Sequence, residues 1–264
     1  MSDFGKLLGI ESIELLREKA KNQRRFNGKG CVLCDYTGYT YNDDKTSSMC
    51  SCLKDNFLKD LFIKADVPRA YLNKSIDDWN VRADSSGNDL GPEQTISERV
   101  FLLLKNYEKN LKNIFYGNPP IIVHSVNRRT PLHSIIFEGN IGSGKTFIAS
   151  VLVQSCIRKG FSAKYYDWSD LNSLFSDYEK KKEFDEVVEE FKTLDLVALD
   201  GVEMYTYMHP QAASLIDRLS KARINSGKPI IIFSLGNIFQ ISGGSGWASM
   251  LNKCLTIRLP QAIK

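Results

Sequence analysis

Histidine, long apolar runs and net charge are all scarce in this chain of 264 residues. No stretch approaches the roughly 18 consecutive apolar residues that a membrane helix needs, so no membrane span and no membrane partner is expected. No apolar h-region follows Met1-Ser-Asp-Phe4, which is the pattern of a cytoplasmic protein without a secretory leader. Lys and Arg outnumber Asp and Glu by only 35 to 31, so any nucleic-acid binding must come from a local patch and not from overall basicity. The six cysteines do not read as a disulfide framework. Four are clustered and two, Cys156 and Cys254, fall on apolar segments, which fits a reducing compartment and a single metal site.

What is present is a complete phosphate-binding loop, G-x-x-x-x-G-K-[ST], formed by Gly139, Asn140, Ile141, Gly142, Ser143, Gly144, Lys145 and Thr146. Its context makes it a site. Leu132 to Glu138 before it is a short β-rich run, and Phe147 to Arg158 after it has helical apolar spacing. Glycines let successive N–H groups turn toward phosphate oxygens, and the following helix adds the positive end of its dipole. Lys145 would reach the β- and γ-phosphates of ATP, and the Thr146 hydroxyl would ligate Mg²⁺.

The second half of such a site is an apolar strand ending in a carboxylate. Leu194-Asp-Leu-Val-Ala-Leu-Asp200 supplies it, and Asp200 is the expected Mg²⁺-side acid. Many P-loop enzymes place a second acid directly after the first, to orient or deprotonate water. Here that position is Gly201, and Glu203 is the nearest acid, either as the base or merely as a residue pointing elsewhere. Hydrolysis is therefore expected to be weak. After the run Ile230-Ile-Ile-Phe, Asn237 and then Ser234 are candidates to meet the γ-phosphate or its water, or else simply close the loop.

Strand candidates at His133–Phe137, Ala163–Asp167, Leu194–Leu199, Pro229–Phe233 and Leu255–Leu259 alternate with helices near 145–159, 169–177, 182–192, 210–226 and 246–253. That alternation predicts an α/β fold with a parallel sheet covered on both faces and ligands at the carboxyl ends of its strands. Upstream, Asp3–Gln23 and Asp55–Lys64 have helical spacing, and Ser97 is the expected cap of a helix running to Phe115. Residues 24–52 read as turns and short hairpins with little core. Cys31-Val-Leu-Cys34 and Cys50-Ser-Cys52, 15 residues apart, can close a tetrahedral site for structural Zn²⁺ that staples this segment, or remain reduced thiols. The expected organisation is an N-terminal partner-interaction domain over 1–60, helical and bearing the four-cysteine zinc site, then a linker over 61–97 and an ATPase domain over 98–264.

Taken together, the Ala65-Asp-Val-Pro68-Arg-Ala-Tyr71 and Ile76-Asp-Asp-Trp79 segments, the Gly139–Thr146 loop, the Asp200 strand and the polar-ended strand near Asn237 resemble the bacterial replicative helicase loaders. These are the DnaC/DnaI-like AAA+ ATPases, with IstB-type transposition ATPases as relatives. The resemblance implies a five-stranded AAA+ sheet of order 5-1-4-3-2 with no full lid. It further implies a homo-oligomer, ring or spiral, that responds to ATP, holds single-stranded DNA and grips a replicative DNA helicase through its N-terminal arm. For DNA it points to the aromatic run Lys164 to Trp168, which is otherwise core, and to Lys180-Lys-Lys182. Two departures stand out. Gly201 replaces the family's second acid, and the helix that carries the family's trans-acting arginines offers only Lys253, leaving Arg218 and Arg223 as other candidates, or as solvated helix-face charges. A transposition regulator on duplex DNA and a helicase-binding module with little hydrolysis are the competing readings.

Overall fold

Uninterrupted apolar runs become the buried strands of a parallel sheet, because helices cover both of its faces. The structure, a computed structural model, describes residues 39–41, 47–79, 92–116, 134–176, 181–203, 210–240 and 244–259. The chain divides into two compact units, 1–64 and 65–264.

In the first unit, β1 (Tyr39–Tyr41) pairs antiparallel with β2 (Ser47–Met49), the kind of short hairpin expected between the two cysteine pairs. Helix α1 (Ser51–Lys64) begins four residues earlier than its apolar spacing implied, so Cys50 immediately precedes it and Cys52 lies in its first turn. The expected helix over 3–23, Cys31 and Cys34 lie outside the described residues.

The second unit opens with two single 3₁₀ turns, Arg69–Tyr71 and Ile76–Asp78, followed after an interval by α2 (Pro92–Lys109) and α3 (Leu111–Tyr116). Helix α2 starts five residues before Ser97. Pro92 in its first position has its missing N–H and fixed φ already suited to a helix start, and Ser97 is instead buried within the helix, accepting the indole N–H of Trp79 at 3.1 Å. Then come β3 (Ile135–Glu138), α4 (Lys145–Arg158), β4 (Ala163–Asp167), α5 (Trp168–Ser176), α6 (Lys181–Thr193), β5 (Leu196–Glu203), α7 (Pro210–Ser226), β6 (Ile230–Leu235), α8 (Gly244–Leu251) and β7 (Leu255–Arg258). The strands lie in the order β4-β5-β6-β3-β7, all parallel. Numbered within the sheet this is 2-3-4-1-5, the expected order 5-1-4-3-2 read from the other edge. Helix α4 is buried from Ile148 to Ile157 and packs across β4, β5 and β6. Its Gln154 holds the Ala65–Trp79 segment, accepting from Asn73 N–H at 2.9 Å and donating to the Tyr71 carbonyl at 2.8 Å. Helices α5 to α8 build the core on the opposite face around Phe184, Phe191, Leu215, Ile216 and Trp247.

Helix α8 sits close on α7. The Gly246 N–H donates to Asp217 Oδ1 at 2.6 Å, and a Cβ at Gly246 would stand 2.6 Å from Lys221 Cγ, so this helix start needs glycine. Burial works against the charge of Asp217, but Lys221 and the N–H groups of Gly246 and Trp247 hold its carboxyl below the usual range. Strand β5 runs four residues beyond its expected end at Leu199. It continues through a register shift between Leu199 and Val202, where Gly201 adopts φ 73°. An irregularity of this kind bends the strand and re-aims its side chains, and it sits beside the expected site.

Candidate nucleotide-binding site

The loop from Gly139 to Gly144 joins the centre of the sheet to α4, with Gly139 N–H bonded to the Ser234 carbonyl of β6 at 3.1 Å. Two of its glycines are required for different reasons. Gly144 has φ 90°, and a Cβ there would also meet the Trp79 ring at 2.7 Å; a Cβ at Gly139 would lie 2.5 Å from Ser143 Oγ. Ile141 is exposed, whereas Ser143 Oγ is buried with no hydrogen-bond partner among the described residues. An orphan hydroxyl in a loop whose neighbouring helix leaves its first N–H groups without intrahelical acceptors fits a phosphate-binding cradle. The Lys145 ammonium folds back over the loop, donating to the carbonyls of Gly139 at 2.6 Å and Asn140 at 2.8 Å.

Asp200 is buried at the carboxyl end of β5 and is the convergence point of the site. Thr146 Oγ1 donates to its Oδ2 at 2.7 Å, the Tyr165 hydroxyl donates to the same oxygen at 3.0 Å, and Gly201 N–H donates to Oδ1 at 2.9 Å. A hydroxyl and a carboxylate brought together are the hard oxygen ligands that suit Mg²⁺. Burial and the adjacent Asp200 charge push the Tyr165 phenol well up, so it stays a donor at any physiological pH. Sequence reading had grouped Tyr165 with core or base-stacking aromatics. No spacing along the chain links it to Asp200, which the β4–β5 pairing brings beside it.

The remaining candidates are spread more widely. Glu203 ends β5, its backbone in register with Leu235. Asn237 is exposed, and its side-chain oxygen accepts the Phe239 N–H at 3.0 Å, the loop-closing use allowed for it. Ser234 is buried and donates to the Val202 carbonyl at 2.9 Å, tying β6 to β5. Arg223 is withdrawn as a trans-acting cation. It is buried in α7, where its guanidinium donates to the carbonyls of Phe191, Leu194, Asp195 and Pro229. Arg218 remains half-exposed, paired with Asp185 at 2.6 Å, and Lys253 is partly buried just after α8. Tyr165, Tyr166 and Trp168 are buried, and Lys164 is paired with Glu190 and Asp66, so this run is core and closed to a nucleobase. Cys156 is a buried core thiol as expected, while Cys254 is partly buried and packs against the core, its thiol pushed up to about 12 by burial. Among the described residues no group of three or more His, Cys, Asp or Glu side chains could hold a metal ion, and Cys31 and Cys34 are not among them. Nor is any described helix long and apolar enough to cross a membrane.

Residues 127–238, spanning β3 to β6, match the family model of the IstB-like ATP-binding proteins. This segment is similar to an IstB-like ATP-binding domain. No curated protein matches the chain significantly. Among solved structures, the chain superposes on the DnaC helicase loader with a TM-score of 0.52 at 15% identity, covering 73% of this chain and 99% of that one. A putative primosome component from Streptococcus pyogenes serotype M3 gives 0.51 at 12% identity, covering 77% and 97%. The replication initiator DnaA bound to AMPPCP and single-stranded DNA gives 0.51 at 15%, covering 73% of this chain but 50% of that one. The chain thus spans about half the length of the replication initiators it matches. At such identities the likeness establishes the fold alone, an α/β core on a five-stranded parallel sheet.

Proposed function

We propose that this protein is an ATP-responsive loader of a replicative DNA helicase onto single-stranded DNA. The observation that carries the reading is the meeting of Thr146 and Asp200 beside the Gly139–Thr146 loop, in a core that accounts for nearly all of a helicase loader's chain. In this reading ATP selects between assembly states of a homo-oligomer by binding one of them more tightly. Lys145 engages the β- and γ-phosphates, and Asn237 senses the γ-phosphate. Thr146 and Asp200 hold Mg²⁺, which when bound neutralises developing phosphate charge. The arm before residue 61 engages the helicase, with Cys31, Cys34, Cys50 and Cys52 around a structural Zn²⁺. Hydrolysis is slow because Gly201 occupies the place of the usual second acid.

The IstB-like match favours a second reading, a transposition-type regulator that coats duplex DNA. DNA binding with ATP separates the two. The loader reading expects a preference for single strands and co-purification with a replicative helicase that is lost when residues 1–60 are deleted; strong duplex preference, or helicase binding that survives the deletion, defeats it.

Tyr165 orients Asp200 from behind, as outer-shell partners of metal ligands do. Tyr165→Phe is expected to raise the Mg²⁺ concentration for half-maximal ATP binding about tenfold. Nucleotide binding without Mg²⁺ should stay unchanged in a fluorescent-analogue titration. An equal loss with and without the metal would assign Tyr165 to packing alone.

A further inference from the structure

Gly201 leaves β5 without a second acid directly after Asp200, yet a carboxylate lies beside it. Asp167 closes β4 in register with Asp200 across the β4–β5 pair. A Cβ built on Gly201 would have Asp167 Oδ1 and Oδ2 each 3.9 Å away, with no other atom of the described residues as near outside its chain neighbours. Ordinary bond lengths put a glutamate's oxygens about 3 Å or a little more from its own Cβ. The Asp167 oxygens therefore lie just beyond the distance at which an acid borne on position 201 would carry its own.

The orientation of β4 agrees. Tyr165 stands two residues before Asp167, hence on the same face of the strand, and its hydroxyl reaches Asp200 Oδ2 at 3.0 Å. Lys164 and Tyr166, on the opposite face, both bond Glu190 instead. Asp167 is steadied through one oxygen, Oδ1, which accepts the Ser169 N–H at 2.8 Å at the start of α5. By contrast Glu203 lies three residues past Asp200 and beyond the register shift.

We propose that Asp167 supplies the carboxylate that orients and deprotonates the attacking water, a role the neighbouring strand takes over because β5 has glycine there. The inference rests on reading the loop as an ATP-hydrolysing site. In the step, the water oxygen bonds to the γ-phosphorus while the bond from that phosphorus to the β–γ bridging oxygen breaks. The electron pair stays on ADP, and the water proton passes to the Asp167 carboxylate and then to solvent.

Asp167 also caps α5, so the test must separate base from cap. Asn caps a helix as well as Asp does but cannot accept the proton. The full chain is compared as wild type, Asp167→Asn and Glu203→Gln for Mg²⁺-ATP affinity, phosphate release and thermal midpoint. Asp167→Asn is expected to lower turnover about 100-fold with affinity and midpoint unchanged, while Glu203→Gln hydrolyses like wild type. Turnover retained in Asp167→Asn, or lost in Glu203→Gln but not in Asp167→Asn, overturns the assignment. So does a wild type that binds ATP and releases no phosphate. A wild type that fails to bind ATP defeats the ATP reading itself, a separate result.

Discussion

Lys145→Ala weakens ATP binding at least about a hundredfold while leaving the fold intact, as an expected result of where its ammonium sits. The side chain lies over the phosphate loop, donating to the carbonyls of Gly139 and Asn140. Its removal costs the apo protein two partly solvated hydrogen bonds, of which a typical one is worth about 1 kcal/mol net. The bound state loses much more. Charge-assisted bonds contribute about 1.5 to 3 kcal/mol each, and two such contacts to phosphate oxygens amount to at least about two powers of ten in affinity at roughly 1.4 kcal/mol per decade. Calorimetric titration with Mg²⁺-ATP, together with a thermal melt of the nucleotide-free protein, checks both halves. An affinity within about threefold of wild type would remove Lys145 from the site.

Arg223→Met is the opposite case, a large stability loss with no contact to nucleotide. The guanidinium spans the last turn of α6 and the residues entering β5 and β6, and it joins the carbonyls of Phe191, Leu194, Asp195 and Pro229. Burial lowers its pKa to about 9, so at neutral pH it remains charged. Truncation leaves these acceptors with a thioether in place of five donors, and a buried group left unsatisfied costs about 1 to 3 kcal/mol. Part of that loss relaxes away, giving about 3 to 5 kcal/mol in all, or on the order of 10 °C in Tm for a unit of this size. Lysine should not rescue it, because a single ammonium lacks the planar fork that reaches several carbonyls at once. A Tm within about 2 °C of wild type would refute this account of Arg223.

The contrast between these residues explains what could be seen in the sequence. The phosphate loop is contiguous, so its chemistry survives as a linear pattern, and β3 and β6 announce themselves through apolar runs that only a two-sided burial accounts for. Helix α7 matched its expected limits, Pro210 to Ser226, because proline opens it and Gly227 with φ 68° follows it. Sheet order came from family resemblance and agreed with the strand pairing. What stayed hidden is what depends on cross-strand placement. Tyr165 bonds a residue, and Asp167 is inferred to stand in for a position, more than thirty residues away, and no spacing rule links either pair. Arg223 looked like a helix-face charge for the same reason: its partners lie at the ends of other elements. The extension of β5 was invisible because Gly201 reads as a terminator unless the strand is known to continue past an irregularity.

The position of β3 in the sheet has a consequence for how the molecule is made. Its two neighbours, β6 and β7, follow it by about a hundred residues or more, and Leu259 N–H closes on the Glu138 carbonyl at 2.7 Å just ahead of the phosphate loop. During synthesis the loop emerges early but has no finished scaffold until β6 and then β7 arrive. Long-range parallel pairing of this kind folds slowly, since the chain must be closed into large loops before any contact rewards it. The phosphate loop therefore gains its finished scaffold late, only once the sheet around it is complete.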